Sequence, residues 1–309
     1  MAPHPSRSLT MPDGSHLLLD CRGARVLELR APGDETNFFW TSGSDQSSWN
    51  IGGDRTWISP EVDVFVPNFP DTSVFGVPQQ VDPGAYQFAE DSLLRGRCTL
   101  TLSRSRSVAE IEIVKSWTPA PDPLDARHVR YAGYTQKTEL GGPSADALAV
   151  WNIVQVPYGG EVILPVHGVA VPQMYFGAIP DEDILSSPGR IRYLARHSGL
   201  AKFGIRPAET TGRIGYLWPS DDAMNLVVRN VTVDPAVIYG DVPWSDPTYM
   251  NRPACPIQIC AVNADIGVYV ELEHHAPPGK ADVAQLWAYR GAPAAVHEIA
   301  EHLLGARAQ

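Results

Sequence analysis

Glycine and proline punctuate this chain from end to end rather than clustering. There are 26 Gly and 28 Pro in 309 residues, about 17% against a usual ~12%. Both residues interrupt helices and set turns, so their spread predicts many short strands joined by loops. The runs between them agree. His16 to Asp20 and Ala24 to Leu29 are β-rich and are split by Cys21-Arg22-Gly23, a hairpin signal. Alternating or β-rich runs recur at Cys98 to Leu102, Ala109 to Trp117, Val129 to Lys137, Ala147 to Val156 and Glu161 to Val166. They continue at Gly199 to Ile205, Thr211 to Leu217, Met224 to Val233, Ile257 to Val262, Ile266 to Glu273 and Val283 to Tyr289. Turn clusters such as Gly141-Gly142-Pro143, Ser187-Pro188-Gly189 and Pro277-Pro278-Gly279 separate many of them. One segment reads as a helix: Ala294 to Leu304 places Val296, Ile299, Ala300 and Leu303 at helical spacing, with Pro293 before it and Gly305 after it. The reading is an all-β antiparallel sandwich or barrel with one C-terminal helix.

Composition narrows the function classes. Apolar residues make up 44% and charged residues 19%, which fits a globular protein with a sizeable core. The net charge of −11 and the lack of a basic patch argue against nucleic-acid partners. No run approaches the ~18 apolar residues of a membrane span. Met1 to Ser15 lacks the apolar centre of a secretory signal, so a cytoplasmic location is expected. Four cysteines then read as free thiols, and the spacing of Cys255 and Cys260 is not that of a zinc ribbon. A single domain over residues 1–309 is expected, with a short flexible N-terminal segment of about 1–14. Pro119 to Pro123 is the stiffest junction, and β signals continue on both sides of it. The chain lacks a Gly-x-Ser-x-Gly elbow, a P-loop and a Gly-x-Gly-x-x-Gly turn after a strand. No cofactor is indicated. The histidines of His297-Glu298-Ile299-Ala300-Glu301-His302 are five apart, about 140° off a common helix face, so a metal site is not indicated there either.

Three constellations carry chemistry. Asn50 to Glu61 contains Gly52-Gly53, an Arg55 beside Trp57, and the acids Asp54 and Glu61. Arg next to Trp suits a polyol ligand through a hydrogen-bond fork and stacking; a turn leading into a strand with an internal ion pair is the plainer alternative. Tyr269 to Pro277 places Glu271, Glu273 and His275 on one strand face and Val270, Leu272 and His274 on the other. Two carboxylates and an imidazole are material for general acid–base work; a solvated strand face would look the same. Trp151 and Gln155 share a face in Trp151 to Pro157, as a site wall or as core and edge, and Lys202 is a lone cation in an apolar run.

The segment Gly52-Gly53-Asp54-Arg55-Thr56-Trp57-Ile58-Ser59-Pro60-Glu61 resembles a Gly-Gly-x-Arg-x-Trp-x-x-Pro-Glu signature of an uncharacterised bacterial branch of the galactose-mutarotase-like (aldose 1-epimerase-like) superfamily. The Trp151/Gln155 segment and the Tyr269–Pro277 strand follow in that family's order, so the resemblance runs roughly from His16 to Tyr289. It implies a β-supersandwich that binds sugars on a concave face. It implies Arg55 as the sugar-contacting Arg and Glu273 as general base on the anomeric hydroxyl. Mutarotases carry an Asn-His-x-Tyr-Phe-Asn segment supplying the acid, where this chain has Trp151-Asn152-Ile153-Val154-Gln155. The acid then falls to His275, with His167 and Lys202 as the other candidates. Trp57, Glu61, Trp151, Gln155, Lys202 and Glu271 are expected to bind substrate. The implied function is an isomerase of epimerase type acting on a small carbohydrate, as a monomer or homodimer. A lyase or tailoring enzyme on the same scaffold, or a non-catalytic sugar-binding protein, is the alternative.

Overall fold

A computed structural model describes residues 5–42, 49–240 and 254–305. Its first four strands are β1 (Ser6–Thr10), β2 (His16–Asp20), β3 (Arg25–Arg30) and β4 (Asp54–Ser59). A single helical turn, α1 (Glu61–Val64), follows. Then come β5 (Tyr86–Glu90), β6 (Leu93–Thr101), β7 (Val108–Pro119), β8 (Arg130–Gly141), β9 (Ala149–Pro157) and β10 (Glu161–Pro165). Next are β11 (Gln173–Phe176), β12 (Ile184–Ser187), β13 (Arg190–Leu194), β14 (Gly199–Ile205), β15 (Arg213–Ser220) and β16 (Ala223–Val231). The last elements are β17 (Ile257–Ala264), β18 (Gly267–His275), β19 (Asp282–Gly291) and α2 (Pro293–Leu304).

The strands form two antiparallel sheets. One has nine strands in the order β1-β2-β3-β4-β9-β18-β17-β14-β11, and the other has ten in the order β12-β13-β10-β15-β16-β19-β8-β7-β6-β5. The expected all-β sandwich with a C-terminal helix is therefore what the chain adopts. β14 spans the expected residues, and the Cys21–Gly23 turn joins the paired strands β2 and β3. The helix lays Val296, Ile299, Ala300, Leu303 and Leu304 on Leu226, Val228, Trp287 and Tyr289 of the ten-stranded sheet, covering part of its outer face. Among the described residues no helix is long and apolar enough to cross a membrane.

Ser6–Thr10, within the segment of about 1–14 expected to be flexible, pairs along its whole length with β2. The pairing satisfies its backbone groups, so strand order there needs little side-chain hydrophobicity. Strands β5, β11, β12 and β13 are four or five residues long and gave no sequence signal for the same reason.

Most of the space between the sheets is apolar, but its centre is not. Asp54 on β4 faces Arg229 on β16 across the sandwich at 2.8 Å. It also accepts from the Tyr134 hydroxyl at 2.5 Å, and its backbone oxygen accepts from Lys115 Nζ at 3.4 Å. Nearby, His274 Nε2 lies 2.9 Å from Asp282, which also accepts from Asn152 Nδ2 at 2.6 Å. Arg229 Nε donates to His274 Nδ1 at 3.4 Å, which joins the two groups into one layer. Burial alone would raise the Asp54 carboxyl, but Arg229, Lys115 and the Tyr134 hydroxyl together hold it below the usual carboxylate range. At Lys115 burial wins instead. It pulls the ammonium down to about 7, against the attraction of Asp54.

Lys115 therefore costs stability wherever it is charged. Its folded-state value lies below its unfolded one, so the penalty is full below pH 7 and is relieved as pH rises toward 10.5. Lys115→Met should stabilise the fold at pH 6, by on the order of 1 kcal/mol. The gain should shrink between pH 7 and 10. Urea unfolding of both proteins across that range measures it, and a pH-independent difference would refute the assignment.

Candidate functional site

The three central strands β4, β9 and β18 alternate polar groups to both faces. Asp54, Asn152 and His274 point toward the second sheet, so by period two Arg55, Trp57, Trp151, Gln155, Glu271, Glu273 and His275 point away from it. Register then assembles them. Glu271 pairs with Gln155 on one side and Cys260 on the other, Glu273 with Ile153 and Gln258, and His275 with Trp151. Arg55 sits opposite Ile153 and Trp57 opposite Trp151, while Lys202 is opposite Cys260. The sequence-expected residues, scattered from position 55 to 275, meet on one face of five neighbouring strands.

Two glycines admit the chain to this face. Gly52 and Gly53 have φ of +94° and +81°. A Cβ at Gly52 would collide with the carbonyl oxygen of Trp40, and one at Gly53 with that of Val26. Both the conformation and the close approach demand glycine. After β4, the turn of α1 brings Glu61 back to the same face, where its carboxylate lies 3.6 Å from Lys202 Nζ.

The polar centre has two halves. In one, Arg55 Nη2 donates to Glu271 Oε1 at 2.7 Å, and Gln155 Nε2 donates to the same oxygen at 3.0 Å. Asn50 Oδ1 accepts from Gln155 at 2.8 Å and from Arg55 at 3.4 Å. The Arg55 guanidinium lies over Trp57 at 4.1 Å and over Trp49 at 5.0 Å, which fixes its plane. In the other half, Glu273 Oε2 accepts from Trp151 Nε1 at 2.9 Å and lies 3.0 Å from Lys202 Nζ. Lys202 is held over Trp151 at 4.6 Å, and His275 stacks on Trp151 at 5.2 Å. Every one of these charged groups is buried. Three buried polar atoms are left over, though: Glu273 Oε1, Gln155 Oε1 and Arg55 Nε make no hydrogen bond among the described residues. Orphaned polar atoms are costly, and these three lie within the same polar centre.

The electrostatics separate the roles. Burial raises the Glu273 carboxyl to about 7, with Glu271 and Glu61 adding to the rise and Lys202 opposing it. His275 goes the other way. Burial, then the charges of Lys202 and His274, push its imidazole well below its ordinary value, so it stays neutral. The Cys260 thiol, pushed up by burial and by Glu271 and Glu273, is no thiolate nucleophile. Ligand atoms of Cys260, Glu271 and Glu273 lie within 4.8 Å of one another. A metal ion there would compete with the cations already seated on both carboxylates.

His167, one of the candidate acids, is exposed, and its backbone pairs with Glu209 well away from this face. Sequence reasoning missed Asn50, Tyr269 and Cys260 as neighbours of the site. Asn50 and Tyr269 stood at the edges of the very segments singled out, and Tyr269 shares the parity of Glu271. Cys260 gave no signal, because a buried thiol is ordinary in any core.

No family model matches the chain, and no curated protein matches it in sequence. Solved structures do. A candidate aldose 1-epimerase from Escherichia coli K12 superposes with a TM-score of 0.54 at 10% identity, covering 94% of this chain and 99% of that one. The chain has the galactose-mutarotase-like fold. A galactose mutarotase related enzyme from Lactobacillus acidophilus (TM-score 0.45, 10% identity, 94% and 98% coverage) and an aldose epimerase homologue from C. elegans (0.43, 10%, 94% and 99%) are more distant in shape. At these identities the likeness is one of fold, and the site residues stand on their own geometry.

A direct test is a carboxyl-resolved NMR titration. Glu273 should titrate near 7. Because Lys202 lowers that value, Lys202→Met should move the midpoint upward. A midpoint near 4.5 in the wild type would remove Glu273 as a neutral-pH base.

Proposed function

We propose that this chain is a carbohydrate-active isomerase of aldose 1-epimerase type, with Glu273 as general base and Lys202 as general acid. The observation that carries the reading is the buried Glu273 carboxyl. One oxygen is held by Trp151 and Lys202, the other is unbonded, and its proton affinity is tuned to about 7. A base works best when its pKa lies near the operating pH.

The chemistry follows from the spacing. The anomeric carbon of a cyclic aldose bears two oxygens, the hydroxyl and the ring oxygen. An acid and a base serving them must stand close together, as Lys202 Nζ and Glu273 Oε2 do at 3.0 Å. Glu273 takes the proton of the anomeric hydroxyl while Lys202 gives one to the ring oxygen. The carbon–ring-oxygen bond breaks to leave an open-chain aldehyde. Rotation about the adjacent bond and reversal of both transfers close the ring as the other anomer, and both residues return to their starting states. Arg55, anchored by Glu271 and the two tryptophan rings, has its free Nε to orient a substrate oxygen. Gln155 offers its free carbonyl oxygen to a hydroxyl, and Glu61 and Glu271 balance the charges of Lys202 and Arg55. Trp57 and Trp151 fix the two cations. His275 takes a positioning role in this reading, because a buried neutral imidazole is a poor proton donor.

Anomer interconversion followed by NMR over a panel of aldoses tests the proposal. The rate should rise with pH to a plateau above about 7, because Glu273 acts deprotonated. Glu273→Gln should cost about 10²- to 10⁴-fold in kcat, and Lys202→Met a comparable factor. Sugar binding that survives Glu273→Gln, with no turnover of any aldose by the wild type, would make this a sugar-binding protein instead.

A further inference from the structure

Beside the Arg55 half of the site stands a second buried arginine that the proposed chemistry does not use. Val26 of β3 pairs with Asp54 of β4, so antiparallel register sets the extended Arg25 opposite Arg55 and on the same face. Like charges directly opposite on neighbouring strands repel. Burial lowers the Arg25 guanidinium, its ion-pair partner Asp82 opposes the fall, and the charge of Arg55 adds to it. Arg25 and Asp82 are both buried. Well-packed apolar residues of similar volume would cost less in such a place, so the pair calls for an explanation beyond packing.

Its bonds supply one. Arg25 Nη1 donates to the Gly52 carbonyl at 3.0 Å and Nη2 to the Trp49 carbonyl at 2.7 Å, one at each end of the segment that leads into β4. Arg25 Nε donates to the Arg22 carbonyl at 3.0 Å. Nη2 also donates to Asp82 Oδ2, and the same oxygen accepts from Trp57 Nε1 at 3.0 Å. Trp49 and Trp57 are the two rings over which the Arg55 guanidinium lies, and their centroids are 5.3 Å apart. Arg25 thus fixes the backbone that carries one ring, and Asp82 fixes the edge of the other. Gly23 leaves room for the pair. A Cβ there would come within 2.9 Å of Asp82 Oδ1 and 3.0 Å of Arg25 Nε.

We propose that Arg25 and Asp82 are positioning residues: they hold the Trp49 and Trp57 rings that set the plane of the Arg55 guanidinium, and through it the orientation of the substrate oxygen that Arg55 binds. Only the last step rests on the epimerase reading. Neither residue touches the reacting atoms. The charges that tune Glu273 are those of Lys202, Glu271 and Glu61, so the pair acts on the Arg55 half of the centre and leaves the base alone.

The test removes both charges together in the full chain, as Arg25→Met/Asp82→Asn. No unpaired buried charge then remains, and the new amide oxygen still accepts from Trp57 Nε1. Arg25→Lys keeps the charge but not the planar fork that reaches two carbonyls, and it keeps the test open if the double variant unfolds. Isotope-edited NMR of the Arg55 guanidinium, assigned by its loss in Arg55→Lys, reads the positioning without any substrate. In the wild type Nη2 is bonded to Glu271, so the guanidinium should rotate slowly. In both variants its rotation should be about ten-fold faster, while Arg229 is unaffected and the Glu273 midpoint stays near 7. For an aldose that the wild type turns over, KM should rise about ten-fold with no change in the pH midpoint of kcat. Faster Arg55 rotation, with no turnover of any aldose by the wild type, supports the positioning pair while the epimerase reading fails. Unchanged Arg55 rotation in a folded variant overturns the proposal. Equal loosening of Arg229, or a displaced Glu273 midpoint, marks a merely structural role and overturns it as well.

Discussion

The Asp54–Arg229 ion pair between the sheets is what the rest of the arrangement hangs on. It ties β4 to β16 through the centre of the sandwich, in a place where apolar packing would be cheaper. Asp54 is bonded to Arg55, and alternation sends their side chains to opposite faces. Holding one inward aims the other outward. The same logic applies to His274, seated on Asp282 between Glu273 and His275, and to Asn152 between Trp151 and Ile153. The buried polar layer behind the nine-stranded sheet and the buried polar centre in front of it are two sides of the same three strands.

That double-sided polarity explains the tuning of the site. A carboxylate with no water around it must be paired or protonated. Glu271 is paired to Arg55 and Gln155. Glu273 shares Lys202 with Glu61, so three carboxylates face two cations, and the shortfall is met by proton affinity at Glu273. Lys202 and His274 repel a second proton from His275, leaving it neutral. The proton affinities of Glu273 and His275 thus separate by burial and local charge as much as by residue type.

Much of the fold was readable in advance because it rests on local signals. Turn residues and period-two patterns placed β2, β14, β18 and the C-terminal helix, and the density of turns implied antiparallel sheets. The short edge strands β1, β5, β11 and β12 escaped because edge pairing satisfies backbone groups without demanding a side-chain pattern. The face shared by Glu271, Glu273 and His275 was also legible, since parity within one strand is a local property, and so was that of Trp151 and Gln155. Their meeting with Arg55 and Lys202 was not.

The sequence by itself determined the strand-and-turn character of the chain and the parity of each candidate residue. Those properties depend on neighbours a few residues away. Only the tertiary structure decided that Lys202, and not His167, stands beside Glu273. It alone brought Trp40 onto Tyr269, and it alone made the sandwich centre ionic. These contacts join residues some 70 to 230 positions apart. They are set by strand order and register, which the pairing of many strands fixes jointly and no single segment encodes.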